Sequence, residues 1–120
     1  MVSMPRDVYH YFQQACRRKL QSHFEPQRFV EDGDATAGFA IRLGDHGSIE
    51  DVQYRCTTCM TLIALCEHVA EEIRGATPDH ARKLTAAGIL QSHPEIPSSR
   101  RSRAFLATAA FHVALDTLPT

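Results

Sequence analysis

The sequence predicts an α+β fold, a three-stranded antiparallel sheet with an N-terminal helix and several C-terminal helices packed on one face. Between residues 28 and 55, apolar residues show the two-residue alternation of strands, interrupted by the turn signals Asp32-Gly33 and Gly44-Asp45-His46-Gly47. On either side of this region, apolar residues recur at spacings of three and four, which is the period of a helix. The 120 residues are long enough to bury one core, so we expect a single domain over 1–120.

The first helix is predicted over residues 5–21, with Cys16 on its apolar side as a core thiol. A weak strand at 28–31 follows, and a second strand carries alternating apolar residues from 37 to 43. The third strand, at 48–55, contains Ile49 and Val52. Their spacing of three interrupts the alternation and predicts a bulge.

The remaining chain reads as helices. A core helix is predicted over 59–74, with Gly75 as its C-terminal stop. Thr77-Pro78-Asp79 is a helix start, because it combines a cap, a proline at the first position and an acid in the first turn. A further turn or short helix at 85–90 and an extended, proline-containing stretch at 93–97 follow. A last helix, capped by Ser98 or Ser99, is expected to reach about residue 118.

The composition argues against several partner classes. Basic and acidic residues number 13 and 14, so no strong positive field indicates nucleic acid or an anionic membrane as a partner. The longest apolar run is too short to cross a bilayer, and the first residues contain no apolar export signal. We therefore expect a cytoplasmic setting, in which the four cysteines are reduced thiols or metal ligands.

Three of the four cysteines fall within residues 54–66, where a strand pattern changes into a helix pattern. If Thr57 or Thr58 caps the helix, Cys59 lies in its first turn, where the positive end of the helix dipole favours a thiolate. Cys56 and Cys59 have the spacing of a pair that chelates one metal or closes a small redox disulfide. Cys66 lies two turns beyond Cys59, roughly 10 Å along the helix, and is predicted to be a separate packed thiol.

With these residues in place, the chain resembles the iron–sulfur cluster scaffold family of the IscU and NifU N-terminal-domain type. The resemblance runs from about residue 34 to 115. It rests on Gly47-Ser48-Ile49-Glu50-Asp51-Val52-Gln53-Tyr54-Arg55, then Cys59 and Gly75, and later Ala104-Phe105-Leu106-Ala107. The fold that this resemblance implies is the α+β arrangement predicted above.

The chain departs from this family at the ligand positions. Of the family's three cysteines only the central one is matched, by Cys59. The first falls near Gly33-Asp34-Ala35, and the third falls at Arg103. The family's segment for docking a chaperone is only partly matched by Ile96-Pro97-Ser98-Ser99-Arg100.

The resemblance implies a non-enzymatic role in cluster assembly or sulfur transfer, with a cysteine desulfurase or another assembly protein as partner. Cys59 would be the persulfide acceptor or the surviving iron ligand. Arg103 would face it and favour its thiolate, and Gly33 and Asp34 would form the opposite lip of the pocket. An iron–sulfur cluster, a zinc ion held by Cys56 and Cys59, and no cofactor are all open.

Two other functions are consistent with the residues. A binding or regulatory module could keep the scaffold fold without a cluster and dock partners through the rim around Pro97 and Arg100. A small thiol-redox protein could work through Cys56 and Cys59, although the βαβ pattern typical of such proteins is missing around that pair.

Overall fold

A computed structural model describes residues 6–18 and 25–118 of the chain. It places one helix before a three-stranded meander and the other helices after it. In chain order the elements are α1 (Val8–Arg17), β1 (Val30–Asp32), β2 (Ala35–Leu43), β3 (Ile49–Cys56), α2 (Met60–Ile73), α3 (Pro78–Ala81), α4 (Ala86–Ser92), a 3₁₀ turn (Ser98–Arg100) and α5 (Ser102–Asp116).

The sheet is antiparallel with the strand order β1-β2-β3. Gly33 has φ +63° and is the first of two turn residues between the paired residues Asp32 and Ala35, as the Asp-Gly signal predicts. The register of β2 and β3 shifts between Arg42 and Leu43, which confirms the predicted bulge.

The helices after the sheet cover one of its faces. Helix α2 packs on β3, and α5 packs on β2. The rings of Phe39 and Phe111 meet with centroids 6.2 Å apart, so this contact joins the sheet to α5 within the core. Helix α1 lies against α2. The predicted α+β fold class is therefore confirmed.

The first helix differs from its prediction in two ways. It begins at Val8, because the carboxylate of Asp7 accepts a hydrogen bond from the backbone N–H of His10 at 2.9 Å and caps the helix. Cys16 is exposed rather than buried, so its prediction as a core thiol is wrong. The outer parts of the predicted helix, residues 5 and 19–21, lie outside the described residues.

Two helix starts were also wrongly predicted. The hydroxyl of Thr57 does not cap α2. It accepts a hydrogen bond from the backbone N–H of Thr36 at 2.8 Å, and α2 starts at Met60 with Cys59 in the cap position. The last helix starts only at Ser102, because the chain first makes the 3₁₀ turn over Ser98–Arg100.

Candidate functional site

One end of the sheet collects several of the residues singled out in the sequence. The turn at Gly33 and Asp34 joins β1 to β2 at this end, and β3 finishes there at Cys56. Sheet pairing continues one residue further, because the backbone N–H of Thr57 donates to the carbonyl of Thr36 at 3.0 Å. Cys59, in the cap position of α2, therefore follows the chain out of the end of the sheet that carries the Gly33–Asp34 turn.

Cys59 is held by its backbone. It has extended φ and ψ angles of −143° and 121°, and its carbonyl accepts the first helical hydrogen bond from Ile63 at 2.8 Å. Its side chain is half-buried against the core and makes no capping hydrogen bond. The thiol is thus fixed at the N-terminal end of α2 without being used to cap it.

Arg103 lies in the first turn of α5, which packs against β1 and β2. Arg100 and Arg101 are exposed, whereas Arg103 is half-buried. Its Nε atom is shielded from solvent and has no hydrogen-bond partner among residues 6–18 and 25–118. Within those residues no hydrogen bond links Arg103 to Cys59, so their pairing stays a prediction.

The structure places Cys56 and Cys66 close together, although the sequence analysis treated Cys66 as a separate thiol. Cys56 pairs with Ala37 in the sheet, and its side chain lies on the same face as those of Val52 and Tyr54, which the helices cover. Cys66 is fully buried in α2 beneath that face. A hydrogen bond from the Cys66 thiol lowers the pKa of Cys56, while burial raises the pKa of Cys66 well above its usual range. Cys66 is buried as predicted, but its contact with Cys56 was missed.

A signal for this contact was present in the sequence. Cys56 is separated from Tyr54 and Val52 by two and four residues, so the three side chains lie on one face of the strand. Cys66 belongs to the apolar stripe of α2. The Cys-x-x-Cys spacing instead indicated Cys59 as the partner of Cys56. Sequence spacing does not reveal which face each thiol occupies.

The described residues do not fit a complete iron–sulfur cluster. All four cysteines are free thiols, and no group of three or more His, Cys, Asp or Glu side chains in the described part of the chain could hold a metal ion. A cluster of this kind needs several thiolate ligands. The predicted zinc pair, Cys56 and Cys59, therefore has no third ligand within residues 6–18 and 25–118.

A buried carboxylate ties α1 to the sheet and to α2. Glu67 is only 1% exposed and accepts hydrogen bonds from Tyr54 Oη at 2.7 Å and Gln14 Nε2 at 2.8 Å. Its Oε1 also lies 3.1 Å from Arg18 Nε. Burial and the Glu67 carboxylate raise the pKa of Tyr54 well above its usual range.

Two buried histidines form a second polar contact in the same region. His68 Nδ1 and His93 Nε2 lie 2.7 Å apart, and His68 Nε2 lies 3.0 Å from a carboxylate oxygen of Glu72. The ring of Tyr11 stacks on His68 with centroids 4.6 Å apart. Burial lowers the pKa of His68, and it raises the pKa of Tyr11 to about 12. The sequence analysis did not identify this pair.

The comparisons with known proteins agree with the fold. A family model described as the NifU-like N terminal domain matches residues 25–120. The chain belongs to the NifU-like N-terminal domain family. Its membership confirms the resemblance inferred from the sequence. No curated protein matches the chain.

The fold of this NifU-like chain also occurs in a solved structure. A protein described only as hypothetical, with a crystal structure at 2.3 Å resolution, matches with a TM-score of 0.64. The match covers 91% of this chain and 96% of that one at 14% sequence identity. At this identity the likeness supports the fold and carries no functional residue.

NifU-like family membership suggests a scaffold role in iron–sulfur cluster assembly. The family generally binds such clusters, whereas the described residues here supply no complete ligand set. Among the described residues, no helix has the length and apolar character needed to span a membrane.

Proposed function

We propose that this NifU-like chain takes part in iron–sulfur cluster assembly by accepting sulfur at Cys59 rather than by holding a complete cluster alone. The observation that carries the proposal is the position of Cys59. It is the only cysteine at a family ligand position, and its half-buried thiol stands at the start of α2 without a capping role. A single thiol suffices for sulfur transfer, whereas a cluster requires several.

The transfer step balances with one thiol from this chain. The Cys59 thiolate attacks the outer sulfur of a cysteine persulfide on the donor protein. The donor's S–S bond breaks, its cysteine leaves as a thiolate, and the outer sulfur becomes the terminal atom of a persulfide on Cys59. The step has no net oxidation, and the proton of the donor's persulfide either stays with the transferred sulfur or passes to the leaving thiolate.

The surroundings of Cys59 favour this reaction. The N-terminal end of α2 carries a partial positive charge, which stabilises the terminal anion of a persulfide carried on Cys59. The half-buried guanidinium of Arg103, shielded at Nε, would supply a second positive charge to the same pocket. The exposed turn at Gly33 and Asp34 would form its opposite lip.

The donor we expect is a cysteine desulfurase in the cytoplasm, by analogy with the family. We expect no turnover chemistry from the chain itself. The persulfide on Cys59 would be passed on to another assembly protein.

The proposal is tested by loading the reduced protein anaerobically with persulfide generated from cysteine by a cysteine desulfurase. Peptide mass spectrometry should find one added sulfur atom on the peptide that contains Cys59. Cys59→Ser should abolish this adduct, and the matched controls Cys16→Ser and Cys56→Ser should retain it. Sulfur found only on Cys16 or Cys56, and unaffected by Cys59→Ser, would contradict the proposal.

A second function, a binding module that keeps the fold without cluster chemistry, is favoured by the same missing ligands. It predicts that Cys59 takes up no sulfur from the desulfurase while the two proteins still bind. Anaerobic reconstitution with iron and sulfide separates both functions from cluster storage. A coloured cluster that disappears in Cys59→Ser would show that the chain holds a cluster after all.

A further inference from the structure

A groove of about 290 Å³ runs between α1 and the end of β3, and cysteines from both elements line it. Cys16 contributes from α1 and Cys56 from β3, with Tyr54 and Ile63 among the other lining residues. The proposed function uses neither Cys16 nor Cys56. The cysteines of this groove therefore form a candidate site that is separate from Cys59.

Cys66 lies behind the groove. It is 0% exposed and does not line the groove, while Cys56 is half-buried and does. The side chain of Cys56 points to the face that α2 covers and packs against the core cluster that contains Cys66. Ile63, one helical turn before Cys66, lines the groove beside Cys56. A small molecule entering the groove therefore reaches Cys56 directly and reaches Cys66 only through Cys56.

We propose that Cys56 and Cys66 form a redox-active dithiol that reacts with low-molecular-weight disulfides in this groove, with Cys56 as the attacking thiol and Cys66 as the resolving thiol. An accessible attacking cysteine beside a second thiol is the arrangement found in redox-sensing proteins. The hydrogen bond from Cys66 favours the thiolate of Cys56, which is the form that attacks a disulfide.

The reaction has two exchange steps. The Cys56 thiolate attacks one sulfur of a disulfide RSSR, the S–S bond breaks, and RS⁻ leaves, so that a mixed disulfide forms on Cys56. Cys66 then gives its proton to the released RS⁻, attacks the Cys56 sulfur and expels the second RS⁻. Both cysteines are oxidised to one disulfide, and RSSR is reduced to RSH and RS⁻.

The groove has an arginine in its wall, which can bind a carboxylate of a disulfide. Arg18 lines it, and the guanidinium carbon lies 5.4 Å from the centre of the Tyr54 ring. Its Nε lies 3.1 Å from the Glu67 carboxylate as an ion pair. Both Nε and Nη2 are shielded and have no hydrogen-bond partner in the described part of the chain. Glutathione disulfide, which carries carboxylates, is therefore the probe of choice.

The test treats the reduced full-length chain with glutathione disulfide under anaerobic conditions, blocks free thiols by alkylation and maps the disulfides by mass spectrometry. We expect one intramolecular disulfide between Cys56 and Cys66. Cys66→Ala should instead trap a glutathione adduct on Cys56. In Cys56→Ser, Cys66 should stay reduced, and Cys16→Ser should leave the Cys56–Cys66 disulfide unchanged.

Several outcomes would overturn the proposal. A wild-type protein in which Cys66 remains alkylatable, or in which Cys56 is bridged to Cys16 or Cys59, excludes Cys66 as the resolving thiol. If Cys66→Ala fails to fold, as judged by circular dichroism, the wild-type map still decides between these results. Cys59→Ser should leave this disulfide unchanged, so failure here is distinguishable from failure of sulfur transfer at Cys59.

Discussion

Replacing Glu67 with alanine should strongly destabilise the fold. Its carboxylate is buried and receives contacts from Tyr54 on β3 and from Gln14 and Arg18 at α1. Glu67→Ala leaves three donors, from α1 and β3, without their shared acceptor. Removing one partner of a buried charged pair costs about 3–5 kcal/mol, a large part of the ~5–15 kcal/mol that stabilises a typical domain.

Two further variants calibrate this loss. Tyr54→Phe removes one hydrogen bond to a charged acceptor and keeps the ring, so it should cost about 1.5–3 kcal/mol. Asp116→Ala removes an exposed ion pair with Arg82, whose atoms lie 2.7 Å apart, and should cost only about 0–1 kcal/mol. The expected order of destabilisation is therefore Glu67→Ala, then Tyr54→Phe, then Asp116→Ala.

Urea unfolding followed by far-ultraviolet circular dichroism measures all three free energies. For a domain of this size, each kcal/mol should also lower the melting temperature by about 4 °C. If Glu67→Ala costs no more than Asp116→Ala, the buried carboxylate does not hold α1 on the rest of the fold, and the argument from burial is refuted.

Two other changes test different parts of the structure. Burial lowers the pKa of His68, so the unfolded state binds more protons than the folded state. The free energy of unfolding should therefore fall as the pH drops below ~6.5, and His68→Gln should reduce this slope in urea titrations at several pH values; an unchanged slope would contradict the assignment. In Gly38→Ala, the new Cβ would lie 2.7 Å from the carbonyl oxygen of Arg28 and 2.9 Å from the ring of Phe29. This crowding should cost about 1–3 kcal/mol in the same assay, and an alanine variant as stable as the wild type would show that the 28–29 segment shifts freely.

Local sequence signals were sufficient for most of the fold. Period-two alternation identified β2, and the Asp-Gly step identified the turn that Gly33 makes at positive φ. Gly75, at φ +89°, follows α2 as predicted. These features depend on neighbouring residues alone, so a single sequence reveals them. Family resemblance then agreed with the order of the elements.

The errors concerned two helix starts and the exposure of one side chain. Thr57 has the chemistry of a helix cap, but the backbone N–H of Thr36 uses its hydroxyl instead. Ser98 likewise enters a 3₁₀ turn, so α5 starts later than its cap chemistry indicated. Cys16 has the spacing of a core residue but lies at an exposed edge of α1. For Thr57 the outcome depends on Thr36, a residue that comes next to it only in the folded sheet.

The Cys-x-x-Cys spacing illustrates why the candidate site needed the structure. Cys56 ends a strand, Cys59 starts a helix, and the hydrogen bonds between Thr57 and Thr36 fix the chain between them to the sheet. The side chain of Cys56 consequently faces the core and Cys66, whereas Cys59 belongs to the end of the sheet near the Gly33–Asp34 turn. A disulfide between Cys56 and Cys66 would join both ends of the segment that carries Cys59. The oxidation state of this cysteine pair would therefore affect the geometry of the chain around Cys59.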